Sequence, residues 1–394
     1  MIPMKNVDYI VGTSDINRTP LPVYNDSVCA FISEISATLM KSPLIRVFPD
    51  LSALAFWGRK ANLQKLKSDF GSTERRLGRG LCFHVAPSNI PVNFAFTYVF
   101  GLLAGNANIV RLPSKTFPQI DALCATIKEI LQRYPEIEKR TAFVRYPRSD
   151  EITAEFCKIA DARMIWGGDK TIENIKSLPA LPRCVDIAFA DRYSIAMIDG
   201  NAVLNADGTQ MKRLSENFYN DTWLMDQNAC SSSQTILWQN DSKEAREKFW
   251  TAAERTAREK YTLQDAVAVD KYTLFCTESI LNNNMERCTH HDNLLYREEL
   301  KTLTSDIVNH RGKGGYFFEY ALKDEKELFA VITEKFQTIT YFGIDPEKLC
   351  SALIASNTRG IDRIVPIGKA LNIDVIWDGH DLIKELSRII NVER

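Results

Sequence analysis

Short apolar runs alternate with amphipathic segments along the first half of the chain. The runs GLCFHV, NIVRL, TAFV, ARMIW and CVDIAF have the length and residue types of buried strands, and the segments between them repeat apolar residues at helical spacing. This alternation predicts an α/β fold in which helices cover both faces of a parallel sheet. Ligands bind at the carboxyl ends of the strands in such sheets, so the turns at 86–89, 111–115 and 166–169 are the expected binding loops.

The second half of the chain has a different pattern. The polar stretch MDQNACSSSQ leads into an apolar strand, SQTILW, and a long charged helix follows at 243–261. Two more strands, FQTITYFGI and DRIVPIG, precede a last predicted helix at 380–390. We therefore expect three parts: N-terminal helices with a cofactor-binding domain over 1–192, a catalytic α/β domain over 193–365, and a C-terminal segment over 366–394 that packs back on the core.

End signals set the limits of two further helices. Asp50 can cap a single helix over 51–70, and Pro91 can begin a helix that Gly105 ends. The second helix lies in the stretch 84–110, which contains no Asp, Glu, Lys or Arg. Prolines and asparagines interrupt that stretch, so we expect a buried strand, a turn and a buried helix instead of a membrane span.

Composition narrows the functional classes. The formal net charge of -1 gives no overall field that would attract nucleic acid or an acidic membrane. The nine cysteines form no CxxC pair, and their odd number, with no signal-peptide pattern, predicts reduced thiols in the cytoplasm. Cys288, His290, His291 and Asp292 lie close together in sequence, but no second ligand cluster accompanies them, so we expect an exposed polar loop and no metal site.

One cysteine and one asparagine stand in positions that suit acyl chemistry. Cys230 lies among small polar residues, which leave its sulfur accessible and leave backbone N–H groups able to bind an oxyanion. A buried structural cysteine is nevertheless the more common fate of this residue type. Asn89 ends a strand two residues before Pro91, so it suits either a turn former or an oxyanion donor. Local chemistry alone decides neither whether Cys230 is a nucleophile or a structural residue, nor whether Asn89 is an oxyanion donor or a turn former.

Three separated segments resemble the aldehyde-dehydrogenase superfamily, in the family's order. HVAPSNIPVNFAFTYVFGLLAGNANIVRLPSK resembles its strand–Asn–Pro–helix–strand block, MIWGGDKT its turn under the cofactor, and DQNACSS its nucleophile motif. DQNACSS, KFQT, GIDRIVPIG and the late WDG bring the sequence closest to the fatty-acyl-CoA reductases of the LuxC family. The resemblance implies an aldehyde-dehydrogenase-like fold, with a Rossmann-type cofactor domain and a second α/β domain that carries the nucleophile.

The resemblance also implies roles for individual residues. Cys230 is the expected nucleophile, and Asn89 with the backbone N–H of Cys230 is the expected oxyanion hole. Ser114 is expected to contact the adenosine ribose of the cofactor. Gly167 and Gly168 are expected to let a helix N-terminus approach the cofactor phosphates.

Two departures from the family pattern accompany these matches. Glu334 and Phe336 match a pair that holds the nicotinamide ribose, but Gln337 and the residue after it replace the family's Gly-Pro. Phe189 stands where hydrolytic relatives have the glutamate that activates water. Without that base an acyl-enzyme is expected to wait for hydride or another acceptor, although Asp191 is a candidate substitute.

The cofactor signature reads RLPSK, which bears on the choice of nicotinamide cofactor. Lys115 stands where relatives that prefer NAD often have a glutamate on the ribose hydroxyls. A cation there, near Arg111, favours a 2′-phosphate, so we expect NADPH with NADH as the alternative. A solvated loop lysine with no ligand is the other interpretation of Lys115.

Three functions follow from these residues, and the first is favoured. It is the NADPH-dependent reduction of an acyl thioester, fatty acyl-CoA or an acyl-enzyme, to an aldehyde through an acyl-cysteine. The second is an NAD(P)-dependent aldehyde dehydrogenase that releases a free acid, and the third is a non-catalytic scaffold subunit. The resemblance also implies an acyl-protein synthetase as partner, and a homodimer is the working expectation for the oligomeric state.

Overall fold

The computed structural model describes residues 6–87 and 90–393. These residues form two compact units. The first consists of residues 1–190 together with 373–394, and the second is Asp191–Asn372. The chain therefore leaves the first unit, completes the second, and returns to the first.

Helices and strands alternate in the part of the first unit before residue 190. Its strands are β1 Asp8–Gly12, β2 Arg76–Gly78, β3 Leu81–Val85, β4 Ala107–Arg111, β5 Thr141–Arg145, β6 Ala162–Trp166 and β7 Val185–Phe189. Its helices are α1 Asp26–Lys41, α2 Pro49–Trp57, α3 Lys60–Phe70, α4 Asn93–Leu103, α5 Pro118–Leu131, α6 Pro135–Glu138, α7 Asp150–Cys157 and α8 Asp169–Ser177, with a 3-10 turn at Pro43–Arg46.

Among the residues that the structure describes, the sheet of the first unit has the strand order β1-β5-β4-β3-β6-β7. All neighbours are parallel except β1, which pairs antiparallel with β5 at one edge. The chain leaves β3 towards β4 and β5, then crosses to β6 and β7 on the other side. This is the strand order of a Rossmann-type sheet, whose ligands bind where the direction of winding reverses. The predicted α/β fold with a parallel sheet is confirmed.

The apolar pattern explains why the centre of this sheet forms. Every residue of β3 is buried, and so is every residue of α4, as expected for elements covered on both sides. The uncharged stretch 84–110 is thus accounted for by a strand, a helix and a second strand. The turn after α4 needs glycine, because Gly105 has a φ of 85° and a Cβ there would lie 2.0 Å from the carbonyl oxygen of Leu21.

One predicted helix of this unit is two helices. The single helix predicted over 51–70 is wrong, since α2 ends at Trp57 and α3 begins at Lys60. Trp57 is buried, and its ring packs edge-on against Phe96 and Phe100 at centroid distances of 6.0 and 5.6 Å. Packing of that large ring, with Gly58 as the following residue, ends the first helix where sequence periodicity alone would continue it.

The second unit repeats the alternation around another sheet. Its strands are β8 Tyr193–Asp199, β9 Ser233–Gln239, β10 Met285–His291, β11 Leu295–Leu300, β12 Tyr316–Ala321, β13 Phe336–Phe342 and β14 Arg363–Pro366. Its helices are α9 Gly200–Asn205, α10 Gly208–Asp221, α11 Lys243–Lys260, α12 Asp265–Leu281, α13 Glu325–Val331 and α14 Pro346–Ala355, with 3-10 turns at Trp223–Met225 and Ser305–Asn309.

The described strands of the second sheet have the order β10-β11-β12-β9-β8-β13-β14. Among these described strands, only β10, at one edge, runs antiparallel to its neighbour. One apolar core lies around Trp223, Phe249 and Phe317, and another around Tyr193 and Phe318. Since β9, β8 and β13 are parallel neighbours, their amino ends meet at one edge of the sheet.

Helix α12 has an inverted distribution of side chains. Its buried positions are Lys271 and Glu278, whereas Val269, Tyr272 and Ile280 are more than half exposed. The ammonium group of Lys271 donates to the carbonyl oxygens of Leu294, at 3.1 Å, and of Gly314, at 2.5 Å. These polar contacts attach the helix to the rest of the unit together with Leu274 and Phe275, which are partly buried against an apolar core.

The chain after residue 372 forms short elements: β15 Ile376–Trp377, β16 His380–Asp381, α15 Leu382–Glu385 and β17 Ser387–Ile389. The long helix predicted at 380–390 is wrong, because the chain leaves the helix after Glu385 and pairs antiparallel with β2. Leu382, Ile383 and Leu386 are fully buried in an apolar core of the first unit. Among all described residues, no helix combines the length and the apolar character that crossing a membrane requires.

Candidate functional site

The candidate nucleophile lies in a tight loop of the second unit. Cys230 follows the 3-10 turn at Trp223–Met225 and precedes β9. Asp226 and Gln227 have left-handed backbone conformations, with φ of 51° and 57°. Side-chain-bearing residues adopt such conformations rarely, so surrounding contacts must hold the loop in place.

Gln227 supplies contacts of this kind. Its side chain is 3% exposed, and its Oε1 accepts a hydrogen bond from the backbone N–H of Gly315 at 2.7 Å. Its Nε2 donates to the carbonyl oxygens of Tyr316, at 3.1 Å, and of Ser233, at 3.3 Å. A buried amide with partners for both of its atoms thus fixes the loop three residues before Cys230.

Two further side chains hold Cys230 itself. The hydroxyl of Ser194 donates to the carbonyl oxygen of Cys230 at 2.6 Å and accepts from the backbone N–H of Thr338 at 3.3 Å. The side-chain amide of Gln337 donates to the sulfur, with 3.5 Å between Nε2 and Sγ. Cys230 remains partly exposed, so a small electrophile can reach a sulfur whose position is already fixed.

Most of the other cysteines lack this combination of access and polar contact. Burial raises the pKa of Cys124 and Cys288 to about 12, and that of Cys82 well above the ordinary value. Burial also raises the pKa of Cys29 and Cys184 to about 11. Thiols with such high pKa values are protonated at neutral pH and are poor nucleophiles.

The residues predicted for cofactor phosphates lie in the first unit, at the carboxyl edge of its parallel sheet. Gly167 and Gly168 follow β6 directly and precede α8, a helix whose start is not capped by a side chain. A Cβ on Gly168 would meet no atom within 4 Å. The backbone N–H groups at this helix start are therefore approachable by an anion.

The other residues predicted for the cofactor follow β4 at the same edge. The guanidinium of Arg111 lies 4.5 Å from the centre of the Tyr146 ring, and the ammonium of Lys115 lies 5.1 Å from that of Phe117. Ser114 and Lys115 are exposed. The sheet thus brings the loops that follow β4 and β6 to one edge, as sequence alternation predicted.

The pair predicted for the nicotinamide ribose lies in the second unit. Glu334 is exposed and forms a 3.9 Å ion pair with Arg359. Phe336 is 1% exposed, and its ring packs against Tyr193 at 5.7 Å. Their contact with a cofactor stays a prediction. Asn89, the predicted oxyanion donor, lies outside the described residues.

Phe189, matched by sequence to the glutamate of hydrolytic relatives, lies in an aromatic stack. Phe189 ends β7, is 4% exposed, and stacks on Trp166 with 3.7 Å between ring centres. Asp191, the candidate substitute base, lies in the second unit, and its carboxylate accepts a hydrogen bond from Arg311 at 2.9 Å. Phe189 has no group that can accept a proton, and the carboxylate of Asp191 is already engaged with Arg311.

The expected polar loop around Cys288 is largely a strand. Cys288, His290 and His291 lie on β10, and Asp292 lies in the turn that follows. His291 contacts Glu254 at 2.8 Å and Asp292 pairs with Arg258 at 3.0 Å. In residues 6–87 and 90–393, no group of three or more His, Cys, Asp or Glu side chains is placed to hold a metal ion.

Sequence reasoning missed the contact between Gln337 and Cys230. The one signal was the departure from the family's Gly-Pro, which placed a long polar side chain where relatives have a small one. The two residues are 107 positions apart, and parallel strands bring them together. Spacing along the chain gives no hint of such a contact.

Comparisons with known proteins identify the family and the fold. A family model for acyl-CoA reductase (LuxC) matches residues 50–278, which is more than half of the chain. A long-chain acyl-protein thioester reductase from Vibrio harveyi is 22% identical over 330 residues, covering 80% of this chain and 64% of that protein. The chain thus spans less than two thirds of the length of this curated relative.

Solved structures show the same fold. Aldehyde dehydrogenase 21 from Physcomitrella patens matches with a TM-score of 0.62 and 13% identity, over 92% of this chain and 85% of that one. Glyceraldehyde-3-phosphate dehydrogenase from Methanocaldococcus jannaschii, solved with NADP, matches with a TM-score of 0.60 and 14% identity, over 93% and 88%. At these identities the likeness concerns the fold alone, and the predicted aldehyde-dehydrogenase-like fold is confirmed.

Proposed function

Since this chain belongs to the acyl-CoA reductase (LuxC) family, we propose that it reduces an acyl thioester to an aldehyde, with Cys230 as the nucleophile. The observation that carries the proposal is the setting of Cys230. The residue is partly exposed, its carbonyl oxygen accepts a hydrogen bond from Ser194, and its loop is fixed by the buried amide of Gln227. This arrangement suits a nucleophile that must meet its substrate in one defined position.

The chemistry assigned to this chain begins with the thiolate of Cys230. It attacks the thioester carbonyl carbon, a bond forms between Sγ and that carbon, and the donor thiol leaves as a thiolate. The negative charge that develops on the carbonyl oxygen requires hydrogen-bond donors, for which we propose Asn89 and the backbone N–H of Cys230. When the aldehyde is released, the bond to Sγ breaks and the Cys230 thiolate is restored.

The residues at the carboxyl edge of the first sheet fit a nicotinamide dinucleotide. When bound, such a cofactor supplies the hydride that reduces the acyl group. The open space beside Gly168 and the uncapped start of α8 suit its phosphates, and the exposed Ser114 suits its adenosine ribose. We assign Glu334 and Phe336 to the nicotinamide ribose.

We propose NADPH as the preferred cofactor and NADH as the weaker one. Lys115 is exposed in the loop that follows β4, and Arg111 is the last residue of that strand. Two cations near a ribose favour a 2′-phosphate through charge attraction, whereas a glutamate would repel it.

The stack of Phe189 on Trp166 supports aldehyde over acid as the product. Hydrolysis of an acyl-cysteine needs a base that activates water, and Phe189 has no group that can accept a proton. The acyl group would therefore persist until hydride arrives. This argument disfavours the alternative function, an aldehyde dehydrogenase that releases a free acid.

We propose a long-chain acyl group as substrate, presented as acyl-CoA or on a protein. The Vibrio harveyi relative is a long-chain acyl-protein thioester reductase by name, which supports the second form of donor. An acyl-protein synthetase would then be the partner that delivers the acyl group.

The first experiment follows oxidation of NADPH and NADH with a series of acyl-CoA thioesters, while a hydrazine traps any aldehyde. We expect NADPH oxidation with an equal amount of aldehyde, and loss of both in Cys230→Ala. The matched control is Cys350→Ala, which removes an exposed thiol of the same unit and should leave the rate unchanged. Aldehyde formation by Cys230→Ala would refute the assignment, and acid formation from supplied aldehydes alone would favour the dehydrogenase.

Asn89 can be tested in the same assay. Asn89→Ala removes one oxyanion donor, so we expect kcat to fall by about 10²–10³-fold. A change confined to KM would instead indicate that Asn89 serves substrate binding.

A further inference from the structure

We propose that Gln337 is a catalytic residue whose side-chain amide donates a hydrogen bond to the Cys230 sulfur and stabilises its thiolate form. The inference rests on the proposed function only in taking Cys230 as the nucleophile. The contact lies within the second unit, and the family pattern assigns nothing to this position beyond a small residue.

The geometry of the contact suits a donor to sulfur. Nε2 of Gln337 lies 3.5 Å from Sγ, a normal separation for an N–H group and a large acceptor atom. Gln337 is 2% exposed, so water competes little for its N–H groups. In such a setting a hydrogen bond to a charged acceptor is stronger than it is in water.

The amide and the sulfur are held relative to each other before any substrate binds. The Ser194 hydroxyl joins the two segments, since it accepts from the backbone N–H of Thr338 and donates to the carbonyl oxygen of Cys230. The carbonyl oxygen of Gln337 accepts from the backbone N–H of Asp362 at 2.9 Å. The carboxylate of Asp362 pairs in turn with Arg192.

The chemistry of the cycle explains why a neutral amide suits this place. The sulfur is a thiolate before attack and again on release, and it carries no charge while the acyl group is attached. An N–H donor therefore stabilises the free nucleophile and leaving group more than the acyl-enzyme. An amide does so without a proton of its own to lose at neutral pH, unlike a histidine.

The test measures the sulfur alone, with no substrate or cofactor present. Alkylation of Cys230 by iodoacetamide is followed between pH 5 and pH 10 through the mass of the peptide that contains it. For Gln337→Leu we expect the pH midpoint, at which alkylation reaches half of its maximal rate, to rise by about one pH unit. A shift of this size corresponds to the loss of one hydrogen bond to a charged group. Gln337→Glu should raise it further, because a carboxylate repels the thiolate.

The matched control is Gln239→Leu, another glutamine of the second unit, whose amide donates to Glu325 at 2.9 Å. Its midpoint should equal that of the wild-type protein. If Gln337→Leu fails to fold, Gln337→Met provides the same test with an unbranched side chain. A midpoint that stays unchanged or falls in the Gln337 variants would overturn the proposal.

The two proposals can fail separately. A shifted midpoint in a protein that makes no aldehyde would retain the role of Gln337 on Cys230 and refute the reductase. Aldehyde formation that depends on Cys230, with no shift of the midpoint, would retain the reductase and refute this role for Gln337.

Discussion

We assign Phe189 to the position at which relatives that release acids have a carboxylate. Its ring is buried, stacks on Trp166, and meets the edge of His380 at 5.7 Å. A carboxylate placed against these rings would lose much of its hydration. The end of β7 is therefore an apolar support in this chain.

Phe189→Ala should lower the free energy of unfolding by about 3 kcal/mol, because it removes a buried ring and leaves a cavity. The matched control is Phe56→Ala in the same unit, where the ring is 58% exposed, and we expect a change of less than about 1 kcal/mol. Urea unfolding followed by fluorescence measures both variants. Similar losses at the two positions would contradict the packing role of Phe189.

Gln227 and Gln337 are both glutamines near Cys230, but their side chains make different kinds of contact. The amide of Gln227 bonds to backbone groups, so its contribution is to the shape of the loop. The amide of Gln337 donates to the sulfur of Cys230, the proposed nucleophile. Each is buried and polar, a combination that requires partners and therefore deserves a specific explanation wherever it occurs.

At the scale of elements, helix α12 has an unusual source of pH dependence. Burial lowers the pKa of Lys271 to about 7, although the charge of Asp226 acts in the opposite direction. The unfolded chain keeps an ordinary lysine, so between about pH 7 and pH 10 it binds more protons than the folded one. The contribution of Lys271 to the free energy of unfolding therefore rises with pH between about pH 7 and pH 10.

Lys271→Met removes this titration. We expect the stability advantage of the wild-type protein over the variant to grow by about 2 kcal/mol between pH 7 and pH 9. Urea unfolding of both proteins at pH 7, 8 and 9 gives the difference directly, and groups common to both proteins cancel. A difference that stays constant or shrinks with pH would show that Lys271 keeps its proton in the folded state.

Elements with a strong local signal could be predicted from the sequence. β3 and α4 are apolar throughout and are bounded by turn residues, so their type and their burial followed from composition. The helix expected at 380–390 failed because Ser387, Arg388 and Ile389 pair with a strand more than 300 residues earlier. Long-range pairing overrode the local preference there.

The candidate site also has parts that could be predicted from the sequence and parts that could not. The loops after β4 and β6 could be predicted, since parallel strands place their carboxyl ends at one edge. The neighbours of Cys230 could not, because Ser194, Gln337 and Thr338 come from strands distant in sequence. The family resemblance proposed Cys230 as the nucleophile but gave no information on the side chains around its sulfur.

At the scale of the molecule, the second unit is continuous in sequence, whereas the first is not. Residues 191–372 contain their own sheet and their own apolar cores. The first unit buries Leu382, Ile383 and Leu386, which come from the far end of the chain.

We expect a fragment of residues 191–372 to fold alone and to show cooperative thermal unfolding by circular dichroism. Within the fragment, Gln337→Leu should shift the pH midpoint of Cys230 alkylation as it does in the full chain, because the contact between these two side chains lies within residues 191–372. A disordered fragment would contradict this prediction.

A chain that ends at residue 372 should unfold its first unit more easily, since each of the three lost side chains contributes about 1.5–3 kcal/mol.

The pairing of β2 with β17 has a consequence for synthesis on the ribosome. β2 emerges early, but its partner strand is made more than 300 residues later. At about 5–20 residues per second, this strand waits on the order of 15–60 s for its partner. The second unit is complete before that wait ends. The first unit therefore finishes folding after the second, although most of it is translated earlier, and the open edge of β2 is where a nascent-chain chaperone would have most to protect.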